Sequence, residues 1–574
     1  MEYDGNATVV FGPPGTGKTT YLADQVRRLV AQNGPDSVLV SSFSTTAAQE
    51  VAGRFAAATL KPNDKMIGTL HSHAFRAVGH GNVALDPKVI SNWNTEHPDL
   101  TITPDNRRNG GDTGTFVSDP TKAVTGDDHL GCLDLLRSKQ TPRDEWPRNI
   151  AEFADKWTAW KLNAGAVDYT DMIEGAFLRA LDGERPPGYP SVLISDESQD
   201  MTRLEMALVL AWGRHVDQVV IAGDDDQAIN EWRGGDPEPM VHLNGVNVNA
   251  VVLGKSFRVP ESVRLIAERW IRRVSLRRDK TYAARTRMDG DVDTGEIIGG
   301  SAFHVPDRLD DPELIDRITR DLEAGDEVMV VASCNYMLTP LLANLRLAGI
   351  PFHNPYRPLE SRWNPFGAQQ EGVTPTAERV FRYLNLANQG FLWTGRDVQA
   401  WLEMVKIKDA GLVSNAKKIV ATWPPDAPIS EDDMYSIFKE SDGDLFADDI
   451  PEGTGPFGPD PKWLESVLLK QYQQVAAYPL EVARQHGHHA LKERPRLVVG
   501  TVHSVKGAGA DVVYVSPDIS TAAFRSVHTI AGRDSLIRLF YVAMTRAKKS
   551  LRVLAPTVGN HLAGMLPADL EVME

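Results

Sequence analysis

The chain has 574 residues, which is enough for several domains. Hydrophobic residues make up 42% and charged residues 24% of it, as in ordinary globular proteins, and no apolar stretch approaches the roughly 18 residues that cross a bilayer. The net charge of −16 argues against a protein that coats nucleic acid with a basic face, although a narrow track needs only a few local donors and rings. Neither a signal peptide nor a zinc-binding cysteine cluster is recognisable, so we expect a cytoplasmic protein without membrane contact.

Short β-branched runs that end in polar or turn-forming residues recur along the chain. They lack clean alternation, which is typical of strands buried on both faces of a parallel sheet. Helical segments such as 19–31 and 203–212 follow most of them, and alternation of strand and helix predicts an α/β fold. The predicted strands are 7–11, 37–40, 191–194, 219–222, 328–332, 497–499, 511–515 and 551–554.

The predicted strands fall into two groups, and each group is interrupted by a segment without strand signals. We therefore predict two parallel-sheet α/β cores, each with one inserted, mainly helical subdomain. An acidic stretch at 431–460, rich in Asp, Gly and Pro, reads as a solvated loop within the second insertion. The predicted ranges are 1–80 and 165–254 for the first core, 81–164 for its insertion, 255–354 and 495–574 for the second core, and 355–494 for its insertion.

A glycine-rich P-loop pattern directly follows the first predicted strand and precedes a helix. Its glycines let backbone N–H groups close around phosphate oxygens, and the helix N-terminus favours the negative charge. Lys18 is expected to reach the β- and γ-phosphates, and Thr19 to coordinate Mg²⁺. The residues expected around the nucleotide phosphates are Gly12, Pro13, Pro14, Gly15, Thr16, Gly17, Lys18, Thr19 and Thr20.

Two further predicted strands end in polar residues. The first ends at Asp196 and Glu197, and phosphoryl transfer needs one carboxylate for the magnesium shell and another to orient water. We assign Asp196 to the metal and Glu197 to the water. After the second strand, Gln227 is placed to contact the γ-phosphate.

A glycine-rich loop that follows Gln227 contains an aromatic residue next to a basic one. Trp232 can stack on a base and Arg233 can hold a phosphate of single-stranded nucleic acid. The alternative is that Trp232 belongs to the core, which is the commoner place for a single tryptophan.

These blocks, in this order, resemble the UvrD/Rep family of superfamily 1 helicases. Segments 41–48, 68–72 and 168–172 resemble further blocks of that family at the matching places. The resemblance implies two RecA-like motor cores and implies that Phe43, Thr69 and His71 lie along single-stranded DNA. Phe43 alone would be read as a core residue.

The second half of the chain carries the remaining family blocks. Residues 253–258 resemble the block whose aromatic stacks on adenine and whose arginine reaches the γ-phosphate, which implies these roles for Phe257 and Arg258. Residues 501–507, with His503, resemble the block that couples nucleotide to DNA. Residues 538–548 resemble the last block, in which Arg546 would be the arginine finger that completes the site from the opposite core.

The chain also departs from the family pattern. The glutamine segment before the first strand is missing, and Gly509 and Ala510 stand where the family has a glutamate and an aromatic, so we expect loose selection for adenine. Asn230 replaces a tyrosine, which removes one stacking ring from the DNA track. Shorter insertions and the lack of a partner-recruiting C-terminal tail favour a compact version of the kind that phages or mobile elements encode.

The sequence therefore predicts an ATP- and Mg²⁺-dependent helicase that moves 3′ to 5′ on single-stranded DNA and unwinds tailed duplexes in replication, repair or recombination. A first alternative is a translocase that displaces proteins from DNA without processive unwinding. A second is a DNA-binding or regulatory module with a decayed motor, which the presence of every candidate catalytic residue opposes. Protein partners are not indicated by any motif.

Overall fold

The computed structural model describes residues 2–42, 48, 51–53, 62–79, 81–104, 120–288, 290–298, 307–357, 360–367, 373–385, 393–439 and 460–562. Among them, one compact unit takes in 2–297 and 519–550, and a second takes in 298–518 and 551–562. Residues 255–297 and 519–550 thus pack with the first unit, whereas we assigned them to the second core; the core boundaries stay a prediction. None of the described helices is long and apolar enough to cross a bilayer.

The first unit contains a six-stranded, parallel sheet with the strand order β3-β2-β6-β7-β1-β8. A short parallel pair of strands, β4 and β5, joins the two ends of the predicted insertion. The strands are β1 (Ala7–Phe11), β2 (Val38–Ser42), β3 (Ile67–Thr69), β4 (Asn82–Val83), β5 (Ala166–Val167), β6 (Val192–Asp196), β7 (Gln218–Gly223) and β8 (Val248–Val252).

Two apolar clusters cover the opposite faces of this sheet. Val9 of β1 contributes to one cluster, together with Trp212, while Val10 contributes to the other, together with Val26. Because both faces are covered, β1 is apolar at nearly every position. The predicted α/β fold with parallel sheets is confirmed.

Helices connect the strands and form the insertion. Four of the helices that the structure describes begin with a reciprocal capping box, as at Thr125 with Asp128 and Thr202 with Glu205. The helices of the first unit are Lys18–Asn33, Leu70–Val78, Pro87–Glu96, Gly126–Ser138, Arg148–Ala164, Tyr169–Leu181, Arg203–Gly213, Glu238–Val241, Glu261–Ile271, Thr521–Ser526 and Ile530–Met544.

Strands β3 and β8 were absent from the sequence prediction. β3 has three residues, none fully buried, and β8 lies at the sheet edge with polar Asn249 inside it. A strand at an edge needs no continuous apolar run, so neither gave the pattern of a doubly covered strand. The insertion at 81–164, in contrast, contains helices around its own core of Trp93, Trp157 and Trp160.

The second unit contains the strands β10, β11 and β12, and β10 pairs in parallel with both β11 and β12. One apolar cluster includes both sheet residues such as Val330 and insertion residues such as Trp401, so the helical segment shares a core with the sheet. The strands described after β8 are β9 (Glu296–Ile298), β10 (Val328–Ala332), β11 (Leu497–Thr501), β12 (Ala510–Val515) and β13 (Ala547–Val553), of which β9 and β13 fall mostly within the residue ranges of the first unit. The helices are Pro312–Glu323, Thr339–Leu347, Thr376–Leu384, Gly395–Leu402, Ala416–Val420, Glu431–Ser436, Pro461–Val467 and Lys470–His486.

Candidate active site

The polar segments singled out in the sequence leave the carboxyl ends of three neighbouring strands. β1 leads into the glycine-rich loop 12–19, β6 ends at Asp196, and β7 is followed by Asp224. Because parallel strands all end at the same edge of the sheet, segments far apart in sequence meet there. This edge is where α/β folds bind their ligands.

The glycine-rich loop has a backbone that only glycine adopts easily. Gly15 and Gly17 have φ angles of 72° and 75°. A Cβ atom on Gly12 would lie 2.9 Å from the Cβ of Lys18, which is closer than side chains tolerate. The helix Lys18–Asn33 starts within the last residues of this segment, directly after Gly17, so its N-terminal N–H groups face the same space.

Lys18 lies between the two candidate catalytic carboxylates. Its Nζ is 2.9 Å from Oδ1 of Asp196 and also donates a hydrogen bond to Glu197. Burial disfavours the charge of Lys18, but the two carboxylates outweigh this effect and raise the pKa of Lys18. Lys18 therefore stays a cation, available to neutralise negative charge at this edge.

Glu197 occupies a strained backbone position and has a partner that the sequence did not reveal. Its φ angle is 57°, in the left-handed region that residues with a side chain rarely adopt. The side-chain amide of Gln199 donates to Oε2 of Glu197 at 2.7 Å and accepts from the backbone N–H of Asp224 at 2.9 Å. Gln199 thus connects the end of β6 to the end of β7.

Gln227 and Arg546 lie together although they are 319 positions apart in sequence. The Nε2 of Gln227 donates to Oδ2 of Asp224 at 2.7 Å, and Nη2 of Arg546 donates to Oε1 of Gln227 at 3.0 Å. Arg546 is almost completely buried and lies two residues after the end of the helix Ile530–Met544. The structure therefore brings Arg546 to the loop that bears Gln227; their catalytic roles stay a prediction.

Phe257 and Arg258 lie against the glycine-rich loop. The N–H of Phe257 donates to the carbonyl of Gly15 at 2.8 Å, and the Phe257 ring is 67% exposed. A Cβ on Gly15 would lie 2.4 Å from the Cβ of Arg258. An exposed ring beside a phosphate-binding loop is suited to stack on a nucleotide base.

The other residues of the loop hold its shape. Thr16 donates its hydroxyl hydrogen bond to the carbonyl of Pro13 at 2.8 Å, and the carbonyl of Pro14 accepts from Ser256 at 2.8 Å. Thr19 and Thr20 lie in the first helical turn, where Thr20 is exposed and Thr19 half-buried.

The donor set at the sheet edge fits Mg²⁺ shared with a triphosphate. The Thr19 hydroxyl and the Asp196 carboxylate are hard oxygen ligands, and Mg²⁺ is usually bound through one or two carboxylates plus substrate phosphates. The nearby cation Lys18 and the helix N-terminus are suited to the phosphates themselves.

The candidate DNA-binding residues Thr69 and His71 lie after β3. Thr69 caps the helix Leu70–Val78 by accepting from the N–H of Ser72 at 3.2 Å. The His71 ring packs edge-on against Tyr169 at 5.8 Å, with Nδ1 3.7 Å from Glu205. Burial lowers the pKa of His71, and the opposing effect of Glu205 is smaller, which favours neutral imidazole at neutral pH.

The remaining candidate DNA contacts are placed differently from one another. Trp232 and Arg233 form an exposed turn of the first unit, so Trp232 is not the core residue of the alternative interpretation. Asn230 precedes this turn, where its carbonyl accepts from the Arg233 N–H at 3.1 Å. In the second unit, His503 lies half-buried in the turn after β11. Phe43 lies outside the described residues.

Three basic residues near the site escaped the sequence reasoning. Lys280 is buried and forms ion pairs with all three carboxylates of 224–226, while Arg277 pairs with Asp226. Arg538 donates to the carbonyl of Asp225 at 3.1 Å and pairs with Glu231. Lys280 and Arg277 follow no recognisable motif; Arg538 stood inside a quoted block but had no assigned role.

Comparison with known sequences gives matches in both halves of the chain. Residues 1–245 match the UvrD/REP helicase N-terminal domain, and residues 480–555 match the UvrD-like helicase C-terminal domain.

Individual relatives are distant. DNA helicase II of Haemophilus influenzae is 21% identical over 96% of the chain and 82% of its own length. The ATP-dependent DNA helicase PcrA of Bacillus subtilis is 22% identical over 59% of the chain and 50% of PcrA. The Bacillus subtilis protein YjcD is 24% identical over 41% of the chain and 32% of YjcD. The chain thus aligns with about a third of YjcD and half of PcrA.

Proposed function

Because the chain belongs to the UvrD/Rep-type superfamily 1 helicases, we propose that it is a DNA-stimulated ATPase that moves 3′ to 5′ on single-stranded DNA and separates duplexes. The observation that carries this proposal is the site at the edge of the first sheet. There Lys18 lies between Asp196 and Glu197, and Gln227 meets Arg546. These are the groups that phosphoryl transfer to water requires.

In this proposal each side chain has one task. Lys18 and the N-terminal N–H groups of the helix Lys18–Asn33 hold the β- and γ-phosphates. Glu197 orients the attacking water and accepts its proton. Thr19 and Asp196 would hold Mg²⁺, which neutralises charge on the phosphate oxygens when it is bound.

Residues from distant parts of the sequence complete the nucleotide site. Phe257 stacks on the base, which its exposed ring beside Gly15 and Gly17 permits. Arg258 and Arg546 stabilise the charge that develops on the transferred phosphoryl group. Loose selection among nucleotide bases stays a prediction.

A direct connection joins the nucleotide site to the candidate DNA-binding turn. Arg538 holds the carbonyl of Asp225, two residues before Gln227, and pairs with Glu231, which begins the turn that bears Trp232. A change at Gln227 can therefore reach Trp232 through one side chain. In the proposed motor, Trp232 stacks on a DNA base while Thr69 and His71 lie along the strand.

Strand separation on defined tails tests the proposal. The substrates are duplexes with a 3′ DNA tail, a 5′ DNA tail or a 3′ RNA tail, each with ATP and Mg²⁺, and the Lys18→Ala protein serves as the control without hydrolysis. We expect unwinding of the 3′ DNA-tailed duplex alone. Equal unwinding from a 5′ tail would contradict the direction.

Hydrolysis without unwinding would point to a translocase that displaces proteins from DNA. Removal of streptavidin from a biotinylated strand end would then distinguish this activity from an idle ATPase. Absence of DNA-stimulated hydrolysis in the wild-type chain would overturn the proposal as a whole.

A further inference from the structure

Three consecutive aspartates after β7, Asp224, Asp225 and Asp226, form an almost completely buried group, here called the acidic cluster. Lys280 is buried with them. Its Nζ lies 2.8 Å from Oδ1 of Asp224 and 3.0 Å from Oδ2 of Asp226, and it also pairs with Asp225. Three carboxylates in such a place would be strongly unfavourable without a cation.

A second cation serves a different part of the cluster. Arg277 holds Asp226 with two parallel hydrogen bonds, Nε to Oδ1 at 3.0 Å and Nη2 to Oδ2 at 2.9 Å. The ion pair of Asp224, in contrast, is with Lys280. Lys280 thus contacts all three aspartates, whereas Arg277 shares Asp226 with it; of these two basic residues, Lys280 is the one that pairs with Asp224.

Asp224 connects the candidate catalytic residues. Its Oδ2 accepts from Nε2 of Gln227 at 2.7 Å, and its backbone N–H donates to Gln199, which holds Glu197. Because Nε2 of Gln227 is committed to Asp224, Oε1 of Gln227 is directed to Arg546. The orientation of this amide depends on Asp224 being a fixed, ionised acceptor.

We propose that Lys280 is a positioning residue of the ATPase site: its ammonium group fixes one oxygen of Asp224, so that the other oxygen fixes the amide of Gln227 toward Arg546. The inference rests on the proposed function, since it concerns the rate of the same hydrolysis. Lys280 does not touch the reacting atoms and acts through Asp224 alone.

The electrostatics of the cluster support this role. Burial raises the pKa of Asp224, and Lys280 is the main group that opposes the shift. Without Lys280, the pKa of Asp224 would rise further, which favours the protonated acid. An O–H donor would then be able to face Gln227 where the ionised carboxylate has an acceptor. The Gln227 amide could then turn over and present its N–H groups to Arg546, a donor facing donors.

The test compares Lys280→Met with Arg277→Met, which removes a cation from the same cluster without reaching Asp224. Measured quantities are kcat and KM for ATP with saturating single-stranded DNA, and the melting temperature of each protein. We expect Lys280→Met to lower kcat about 30-fold, as expected for loss of one charge-assisted contact, with KM changed less than about threefold. Arg277→Met should leave kcat within about threefold of wild type, even if its melting temperature is as low as that of the Lys280→Met protein.

A second pair of proteins covers the case in which Lys280→Met does not fold. Asp225→Asn with Asp226→Asn lowers the negative charge of the cluster and leaves the Lys280–Asp224 pair in place, so kcat should stay near that of wild type. Adding Lys280→Met to this background removes that pair alone. The triple variant should therefore show the same fall in kcat that is expected for Lys280→Met.

Equal losses of kcat in Lys280→Met and Arg277→Met at equal stability would overturn the inference, as would a normal kcat in Lys280→Met or in the triple variant. A wild-type protein without ATPase activity would count against the proposed function instead.

Discussion

Two lysines of the first unit each lie between two carboxylates, and their surroundings differ in an instructive way. Lys18 pairs with Asp196 and Glu197 at the edge of the sheet. Lys161, at the end of the inserted helices, pairs with Asp168 and with a second aspartate at position 171. Both lysine side chains are largely buried, so the ion pairs alone do not distinguish the two places.

What distinguishes them is how completely the carboxylates are satisfied. Asp168 caps the helix Tyr169–Leu181, accepts from Nε1 of Trp157 at 2.8 Å and also pairs with Arg137. Glu197 has a side chain that is 28% exposed, close to the 26% of Asp171, so exposure does not distinguish the two places, but the backbone of Glu197 is strained. A saturated network on regular helices stabilises a fold, whereas a carboxylate on a strained turn beside a glycine loop is suited to chemistry.

The largest expected effect is on hydrolysis at the first lysine. Lys18→Ala should reduce kcat for ATP by at least about a thousandfold, because the phosphates lose their preorganised cation. Some thermal stability should also be lost, because the almost completely buried Asp196 loses a basic partner, whereas Glu197 stays partly exposed to water. A phosphate-release assay measures the loss of ATP turnover, and a melting curve measures the change in thermal stability. Large destabilisation with normal turnover per folded molecule would reverse the distinction between the two lysines.

The mirror experiment is Lys161→Met. It leaves the buried Asp168 and the partly exposed Asp171 with Arg137 as their remaining basic partner among the described residues, and should lower the free energy of unfolding by about 3–5 kcal/mol. Turnover per folded molecule should be unchanged. Urea unfolding followed by tryptophan fluorescence measures the loss. Lys156→Met, which changes an exposed lysine of the same helix, is the control and should have almost no effect.

The carboxylate partners sharpen the comparison at a smaller scale. Glu197→Gln keeps the shape of the side chain but removes the base, so kcat should fall about 100-fold or more while nucleotide binding persists. Fluorescent-nucleotide titration and steady-state kinetics separate binding from turnover. A wild-type rate in this variant would show that Glu197 does not handle the water.

The smallest expected effect is a dependence of stability on pH. Burial opposes ionisation of Asp168, but Arg137 and Lys161 outweigh it and lower its pKa to about 2. Since the folded pKa is lower than the unfolded one, the stabilisation is complete above about pH 4 and is lost as pH falls toward 2. Its size is about 2 kcal/mol. Free energies of unfolding at several pH values, compared between wild type and Asp168→Asn, should converge at low pH; parallel curves would contradict the assignment.

The sequence was sufficient for those parts of the site in which spacing is fixed locally. The glycine loop, Asp196 and Glu197 each adjoin a strand with an apolar pattern. The apolar run predicted the strand, and the polar residues that follow it predicted the site at the end of that strand. Lys280 and Gln199 were not predicted, because their contacts depend on how separate segments fold back on one another. Lysine and glutamine are common surface residues, and nothing in their immediate neighbours indicates burial.

The same limit applies to the fold. The continuous apolar runs predicted β1 and β10 with their observed bounds. The insertion at 81–164 looked polar, because its core is built from widely spaced tryptophans that no short window detects. The segment 255–297 packs in the first unit through single side chains such as Trp270, which donates to the carbonyl of Ile537 at 2.7 Å.

The tryptophans of the chain have an optical consequence. Most of the 12 lie in the two insertions, where several of them form ring clusters. The rings of Trp157 and Trp160 stack with centroids 5.0 Å apart, and those of Trp393 and Trp401 are 5.5 Å apart. Indoles at such distances couple their transition dipoles and exchange excitation energy. The near-ultraviolet circular dichroism and intrinsic emission of this protein will therefore report mainly on its insertions. Following events at the sheet edge proposed to bind nucleotide will need a fluorophore placed there.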